Sequence, residues 1–162
     1  MIVVRKLEEY RWSEYRDLRL EALNKESIAF SSSYDEEKNL SEEEWRRRTK
    51  NLLFALSEDK LIGMIGYIRE NKIKTKHVAT IFGFYVTLEY RCQEVGTRLI
   101  DSLFEQIEKS KDIVKVKLTV IPEQKAAIKL YQNCGFKIVG QLRKELCVEG
   151  TFYDELIMEK LL

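Results

Sequence analysis

The chain has 162 residues, of which 44% are hydrophobic and 34% are charged, with a single proline. This composition excludes disordered and fibrous proteins and predicts one globular domain over residues 1–162. The 28 basic and 27 acidic residues nearly cancel, so no overall field favours a nucleic-acid partner.

No targeting or metal-binding pattern stands out in the sequence. The three cysteines are odd in number and form no CxxC pair, which predicts reduced thiols and a cytoplasmic protein. The charged N-terminus does not fit a secretory signal, and the longest apolar run, Val78 to Val86, is interrupted by a threonine. We therefore expect no membrane span. One histidine and scattered cysteines also argue against a zinc site.

The first half of the chain predicts two helices and four strands. Residues 2–7 read as a strand, and apolar residues at helical spacing predict a helix over 12–22. Ser41 and Glu44 form a capping box that begins a second helix, which ends near residue 50. Three apolar runs then predict an antiparallel meander: 52–56, 61–68 and 78–86.

The second half predicts a parallel crossover followed by a helix and two strands. An apolar stripe begins a long helix at Val95, and alternation over 115–120 is typical of a half-buried strand. Pro122 ends that strand, and a further helix over 127–134 closes at Gly135. The last two strands cover 136–147 and 152–161.

Two motifs give the strongest functional signal. The first is Arg91-x-x-Glu94-Val95-Gly96-Thr97, and about thirty residues later comes Gln124-x-x-Ala127-Ile128-x-Leu130-Tyr131-x-x-x-Gly135-Phe136. These two motifs, together with the order of the predicted helices and strands, resemble the GCN5-related N-acetyltransferases, which use acetyl-CoA as the acyl donor. The resemblance implies an α/β fold whose mixed, predominantly antiparallel sheet of about seven strands is flanked by about four helices.

The resemblance also implies where acetyl-CoA binds. In the family the turn before the long helix holds the CoA pyrophosphate on free helix amides, and the preceding strand pairs its backbone with the pantetheine arm. Arg91 would add a forked donor for phosphate. The implied cofactor-binding residues are Phe84, Tyr85, Val86, Arg91, Cys92, Gln93, Glu94, Val95, Gly96, Thr97, Arg98, Gln124, Ala127 and Tyr131.

Tyr131 is the candidate catalytic residue, as the acid that protonates the leaving thiolate. The alternative is a core aromatic on the inner face of its helix. A phenol with a pKa near 10 is a weaker acid than a thiol near 8.5, so unaided transfer is uphill by about 2 kcal/mol. The local field or a water molecule must therefore assist.

Three residues depart from the family pattern. Cys92 and Glu94 replace glycines, and Gln124 stands where the family usually has asparagine. A left-handed backbone at Glu94 would cost about 1–2 kcal/mol, and its charge would repel pyrophosphate, although an ion pair with Arg98 would turn it away. These departures favour an alternative, a non-catalytic domain that binds or senses acyl-CoA.

The acceptor side is less defined. Phe30 and Tyr34 either wall the acceptor pocket or anchor their loop, and Tyr153 or Asp154 would reach the same side. The acidic residues within 31–45 either concentrate cationic amines or form a solvated surface. No metal is expected there.

No general base is visible in the sequence. His77, the single histidine, is interpreted as a solvated hairpin residue, and Tyr85 or a water held by a glutamate would relay the proton. The basic link over 69–77 favours, more weakly, a nucleic-acid module. The sequence thus predicts a cytoplasmic enzyme, monomer or homodimer, that moves an acetyl group from acetyl-CoA to a small-molecule or peptide amine. Attack is expected to be direct, in a ternary complex.

Overall fold

A computed structural model describes all 162 residues of the chain. Seven strands form one sheet in the order β1-β2-β3-β4-β5-β7-β6. The strands are β1 (Ile2–Arg5), β2 (Leu52–Ser57), β3 (Lys60–Arg69), β4 (Val78–Val86), β5 (Lys115–Val120), β6 (Lys137–Val148) and β7 (Thr151–Leu161). The predicted fold class and the predicted sheet of seven strands are confirmed.

Five α-helices accompany the sheet, one more than expected. They are α1 (Trp12–Lys25), α2 (Tyr34–Glu37), α3 (Glu42–Thr49), α4 (Val95–Glu108) and α5 (Lys125–Asn133). The additional helix is α2, a single turn whose capping box joins Ser33 to Glu36. None of the five combines the length and the apolar character that crossing a bilayer requires.

The sheet pairs antiparallel throughout, except that β4 and β5 run parallel. This parallel pair is short, since only 78–80 of β4 align with 115–117 of β5. Further along β4, Gly83 has a φ of +65°, and Gly83 and Phe84 together oppose the single residue Ile65 of β3. This bulge bends β4, in the part of the strand that no longer pairs with β5.

Each face of the sheet carries a hydrophobic core. On one face α4 buries Leu99, Ile100, Leu103 and Ile107 against the strands. On the other face α1 and α3 cover β2, β3 and β4, with Tyr15 stacked edge-on against Trp45 at 5.4 Å between ring centroids. The second core stops at β4, so β5, β6 and β7 have no helical cover on that face.

Candidate active site

A cavity of about 380 Å³ occupies the gap where β4 leaves β5, and we call it the cleft. Its walls come from the end of β4, the turn before α4, the end of β5 and the inner face of α5. The predicted site residues that line it are Phe30, Phe84, Tyr85, Val86, Arg91, Cys92, Glu94, Val95, Gly96, Thr97, Gln124, Ala127 and Tyr131. The structure therefore brings both sequence motifs to one site.

The turn before α4 has the backbone shape of a glycine turn. Cys92 and Glu94 have φ values of +60° and +62°, in the left-handed region that glycine adopts freely. Each is expected to store about 1–2 kcal/mol of strain. The two substitutions thus change the side chains that border the cleft while the left-handed backbone is kept.

The start of α4 presents free amides. The first hydrogen bond inside the helix runs from the Arg98 amide to the Glu94 carbonyl at 3.0 Å. The amides of Val95, Gly96 and Thr97 therefore have no partner inside the helix, and Glu94 provides no side-chain cap. Three free donors and the positive end of the helix dipole suit an anion.

Gly96 allows three elements to meet at the floor of the cleft. A Cβ atom at this position would lie 2.8 Å from Cδ2 of Leu130 on α5 and 3.2 Å from Cζ of Phe84 on β4. Both distances are below ordinary van der Waals contact. The family's glycine is therefore required here by packing rather than by backbone conformation.

The end of β4 offers a backbone edge to the cleft. The Thr87 amide donates to the Ile62 carbonyl of β3 at 2.9 Å. Because backbone groups alternate sides along a strand, the amide and carbonyl of Val86 point to the opposite side, into the cleft. The Val86 carbonyl accepts from Nε of Arg91 at 3.0 Å, which leaves the Val86 amide directed at the cleft.

Arg91 is bound to a residue that the sequence did not single out. Its Nη2 donates to Oε1 of Glu26 at 2.7 Å, and Nε2 of Gln124 donates to Oε2 of the same carboxylate at 3.4 Å. Glu26 follows the last residue of α1 and lines the cleft. The predicted fork from Arg91 to phosphate is instead occupied by Glu26 and Val86.

Tyr131 is a core aromatic that also borders the cleft, and its role as an acid stays a prediction. Its ring is 6% exposed and packs against Phe84 and Phe136, at 5.8 Å and 5.9 Å between centroids. Its hydroxyl makes no hydrogen bond within the protein, and the residue borders the cleft. Burial, followed by the charge of Cys134, raises the pKa of Tyr131, so the phenol keeps its proton.

Tyr85 is hydrogen-bonded to α1, and its predicted relay of a proton stays a prediction. Its hydroxyl donates to Oε1 of Glu21 on α1 at 2.9 Å, on the face of the sheet that α1 covers. Burial and this hydrogen bond raise the pKa of Tyr85. The ring contacts Arg91, whose Cζ lies 5.7 Å from the centroid, so the side chain supports Arg91 and its proton is engaged with Glu21.

Four predicted site residues do not line the cleft. The side chain of Gln93 donates to the Glu89 carbonyl at 2.9 Å, and Nη1 of Arg98 donates to the Ile2 carbonyl at 3.4 Å. The predicted ion pair between Glu94 and Arg98 is therefore wrong. Tyr34 is 41% exposed, with Nζ of Lys38 5.9 Å from its ring centroid. Tyr153 is half-buried on β7.

The structure also places three other residues that the sequence singled out. Phe30 lines the cleft under the guanidinium of Arg19, whose Cζ is 4.9 Å from the ring centroid. Asp154 accepts from Nε2 of Gln141 and from the Lys144 amide, at 2.8 Å and 2.7 Å, so it organises the hairpin of β6 and β7. His77 is exposed at the start of β4, as expected.

Most of the acidic residues over 31–45 are paired with basic side chains, which favours the solvated surface over a role in concentrating amines. The buried Glu37 carboxylate binds Arg19 through two hydrogen bonds of 2.9 Å and 3.0 Å and pairs with Arg48 at 3.1 Å. Further pairs join Asp35 to Lys38, Glu42 to Arg46, and Glu44 to Arg47 and Arg48. The arginines that cancel these charges lie on α1 and α3.

Comparisons with known proteins agree with this geometry. The model of the acetyltransferase (GNAT) family matches residues 6–136. The L-amino acid N-acetyltransferase AaaT of Escherichia coli K12 is 25% identical over 109 residues, which cover 67% of each protein. A GNAT-family acetyltransferase from Streptococcus pneumoniae superposes with a TM-score of 0.89 and 24% identity over 100% of both chains.

A structure of yncA, a putative acetyltransferase from Salmonella typhimurium with its cofactor acetyl-CoA, has a TM-score of 0.87 and 12% identity. The match covers 100% of this chain and 94% of the other. These two superpositions establish the fold of the chain, and the family match extends to both motifs that line the cleft.

Proposed function

The chain belongs to the acetyltransferase (GNAT) family, and on that premise we propose that it transfers an acetyl group to a primary amine by direct attack in a ternary complex. Acetyl-CoA is the acyl donor and supplies the activated acyl group. One observation carries the proposal: the cleft joins the free amides at the start of α4 to the backbone edge of β4.

The main chain of the cleft is suited to hold the donor. The amides of Val95, Gly96 and Thr97 bind the pyrophosphate, because they are free and lie at the positive end of α4. The backbone of β4 at Val86 pairs with the pantetheine arm, as an unpaired strand edge does with an extended ligand. The amide of Val86 stabilises the negative charge that develops on the thioester carbonyl oxygen when the amine attacks.

Tyr131 is the proposed acid for the leaving thiolate. Its raised pKa keeps the phenol protonated, and no residue of the protein competes for its hydroxyl. The raised pKa also makes it a weaker acid than an exposed phenol. Transfer therefore depends on the negative charge that builds on sulfur as the C–S bond breaks.

The alternative, a domain that binds acyl-CoA without catalysis, rests on Glu94. This carboxylate borders the cleft at a left-handed position, beside the amides proposed to bind pyrophosphate. Repulsion there weakens binding without removing any group needed for transfer. We therefore favour the enzyme.

The release of free CoA thiol tests the proposal. Purified protein and acetyl-CoA are incubated with a panel of primary amines, led by L-amino acids because AaaT is named for them, and followed by peptides and polyamines. We expect amine-dependent thiol release with at least one compound. Binding of acetyl-CoA without release by any amine favours the non-catalytic alternative.

The setting and assembly complete the proposal. All three cysteines are free, and Cys92 and Cys147 are exposed, which supports a reducing, cytoplasmic location. The continuous sheet supports one domain over residues 1–162. Assembly as a monomer or homodimer stays a prediction from the sequence.

A further inference from the structure

We propose that Glu155 on β7 is the carboxylate that binds the ammonium group of the acceptor and removes its proton. The inference rests on the proposed acetyl transfer and supplies the general base, for which the sequence offered no candidate. It is carried by the position of Glu155 beside the cleft, by the open sheet face on which it lies and by the lack of a basic partner.

The register of the sheet places Glu155 next to the cleft. Thr119 of β5 pairs with Ile157 of β7, so Glu155, two residues away, is a diagonal neighbour of Thr119 on the same face. Thr119 lines the cleft. Glu155 therefore lies where β5 borders the cleft, on the side of the sheet opposite α4.

This side of β7 is open to an acceptor. On the α4 side Met158 is fully buried, and Nζ of Lys160 lies 4.3 Å from the ring centroid of Phe104. On the other side the core formed by α1 and α3 stops at β4. A small amine can therefore approach along β5 and β7 and meet the cleft at Thr119.

Glu155 has no basic partner, whereas Glu159 beside it has one. Glu159, on the same strand and face, pairs with Lys115 at 2.5 Å, and Lys117 of β5 pairs with Glu70 at 3.5 Å. The charged group that acts on Glu155 is the like charge of Glu145 on β6. An incoming ammonium would therefore supply the missing counter-charge.

The protonation of Glu155 suits a base. Burial raises the pKa of Glu155, and Glu145 adds to the rise, while the hydroxyl of Thr119 opposes it. A carboxylate with a raised pKa accepts a proton more readily near neutral pH than an exposed one. Its half-buried position also strengthens its attraction for an ammonium.

The proton balance follows from the two assigned groups. Glu155 takes one proton from the ammonium, and the freed amine forms the C–N bond to the acetyl carbon. The C–S bond breaks with its electron pair leaving on sulfur, which takes the proton of Tyr131. The second proton of the nitrogen restores Tyr131, and Glu155 returns its proton to water. The net release is one proton per acetyl group.

Glu155→Gln tests the assignment, with Glu159→Gln as the matched control. The acceptors are the best amine of the thiol-release panel and hydroxylamine, which is largely unprotonated at neutral pH. For the first acceptor we expect Glu155→Gln to lower kcat/KM by about 100-fold or more. With hydroxylamine, which needs no base, kcat/KM should fall far less in Glu155→Gln. Glu159→Gln should have the kcat/KM of the parent with both acceptors.

The pH profile separates a base from a structural residue. In Glu155→Gln, kcat/KM for the protonated amine should climb with pH as the amine loses its proton in water. Glu155→Asp should recover part of the loss. Equal losses with both acceptors, or parent-like activity in Glu155→Gln, overturn the assignment and leave the acetyl transfer intact. If the parent protein releases no thiol with any amine of the panel, both the assignment of Glu155 and the acetyl transfer are overturned.

Discussion

The carboxylate of Glu26 accepts a hydrogen bond of 2.7 Å from Nη2 of Arg91 and so ties the end of α1 to the turn before α4. The same carboxylate accepts from Gln124 at the head of α5. Glu26 therefore bridges the two motifs across the cleft, and Arg91 is already engaged when a phosphate arrives.

Glu26→Gln should strengthen the binding of acetyl-CoA about 3- to 10-fold, since the change removes a negative charge from the cleft and weakens the hold on Arg91. Calorimetric titration with acetyl-CoA measures the effect. Glu21→Gln is the control, because Glu21 does not line the cleft and accepts from the Tyr85 hydroxyl on the face that α1 covers, so the Kd should stay unchanged. Unchanged or weaker binding by Glu26→Gln would contradict this account of Arg91.

Glu94→Gly should bind acetyl-CoA at least about 10-fold more tightly, because it removes both a charge and the Cβ from a left-handed position. Glu94→Gln separates the two causes, since it removes the charge and keeps the strain. We expect the glutamine variant to lie between the other two in Kd. Equal affinity in all three proteins would show that Glu94 does not face the cofactor.

Gly96→Ala should destabilise the protein by about 1–3 kcal/mol, because the new methyl overlaps Leu130 and Phe84 at the floor of the cleft. The affinity for acetyl-CoA should fall as well, since the start of α4 must shift. Urea denaturation and calorimetry measure the two effects. In Gly140→Ala the nearest atom is 3.6 Å from the new Cβ, and that variant should match the parent in both.

Tyr131→Phe should lower kcat by about 100-fold while the Kd for acetyl-CoA stays unchanged. The ring and its packing against Phe84 and Phe136 are kept, so the free energy of unfolding should change little. Because the pKa of Tyr131 is raised, its ionisation should not appear in the alkaline limb of the parent's pH profile. Normal kcat in the variant would leave Tyr131 as a core residue only.

Glu37 should make stability depend on pH. Burial acts to raise its pKa, but hydrogen bonds and charge from Arg19 and Arg48 outweigh burial and hold it below the ordinary value of 4.5. A carboxyl with a lowered pKa stabilises the fold above its unfolded value, and that contribution is lost as pH falls through the folded value. Urea denaturation should show that the parent has a larger free energy of unfolding than Glu37→Gln at neutral pH, and that this difference shrinks in acid. A difference that stays constant with pH would contradict the ion-pair account.

The strands and helices were largely predictable because their apolar residues recur at regular spacing. The exception, α2, is one turn long and has no period to detect. Gly96 and Tyr131 were identified because they belong to motifs that are local in sequence. Because the first motif is local in sequence, Cys92 and Glu94 could also be recognised as departures from it. The structure then showed that both residues have a left-handed backbone.

The rest of the site depends on contacts between distant segments. Glu26 lines the cleft and binds Arg91 and Gln124, which are distant in sequence. Glu155 comes beside the cleft because of the register of β7 against β5. No local pattern distinguishes either acid from those around it. The pairing of the buried Glu37 with Arg19 on α1 is likewise a contact between distant segments.

Direct acetyl transfer in the cleft is tested most directly by product analysis. The protein is incubated with acetyl-CoA carrying a deuterated acetyl group and with its best amine, and the amine, the free thiol and the intact protein are quantified by mass spectrometry. We predict one deuterated N-acetyl amine for each thiol released and no acetylated protein on the reaction path. Thiol release without an acetylated amine, or an acetyl-protein that forms and decays as fast as turnover, would contradict the account.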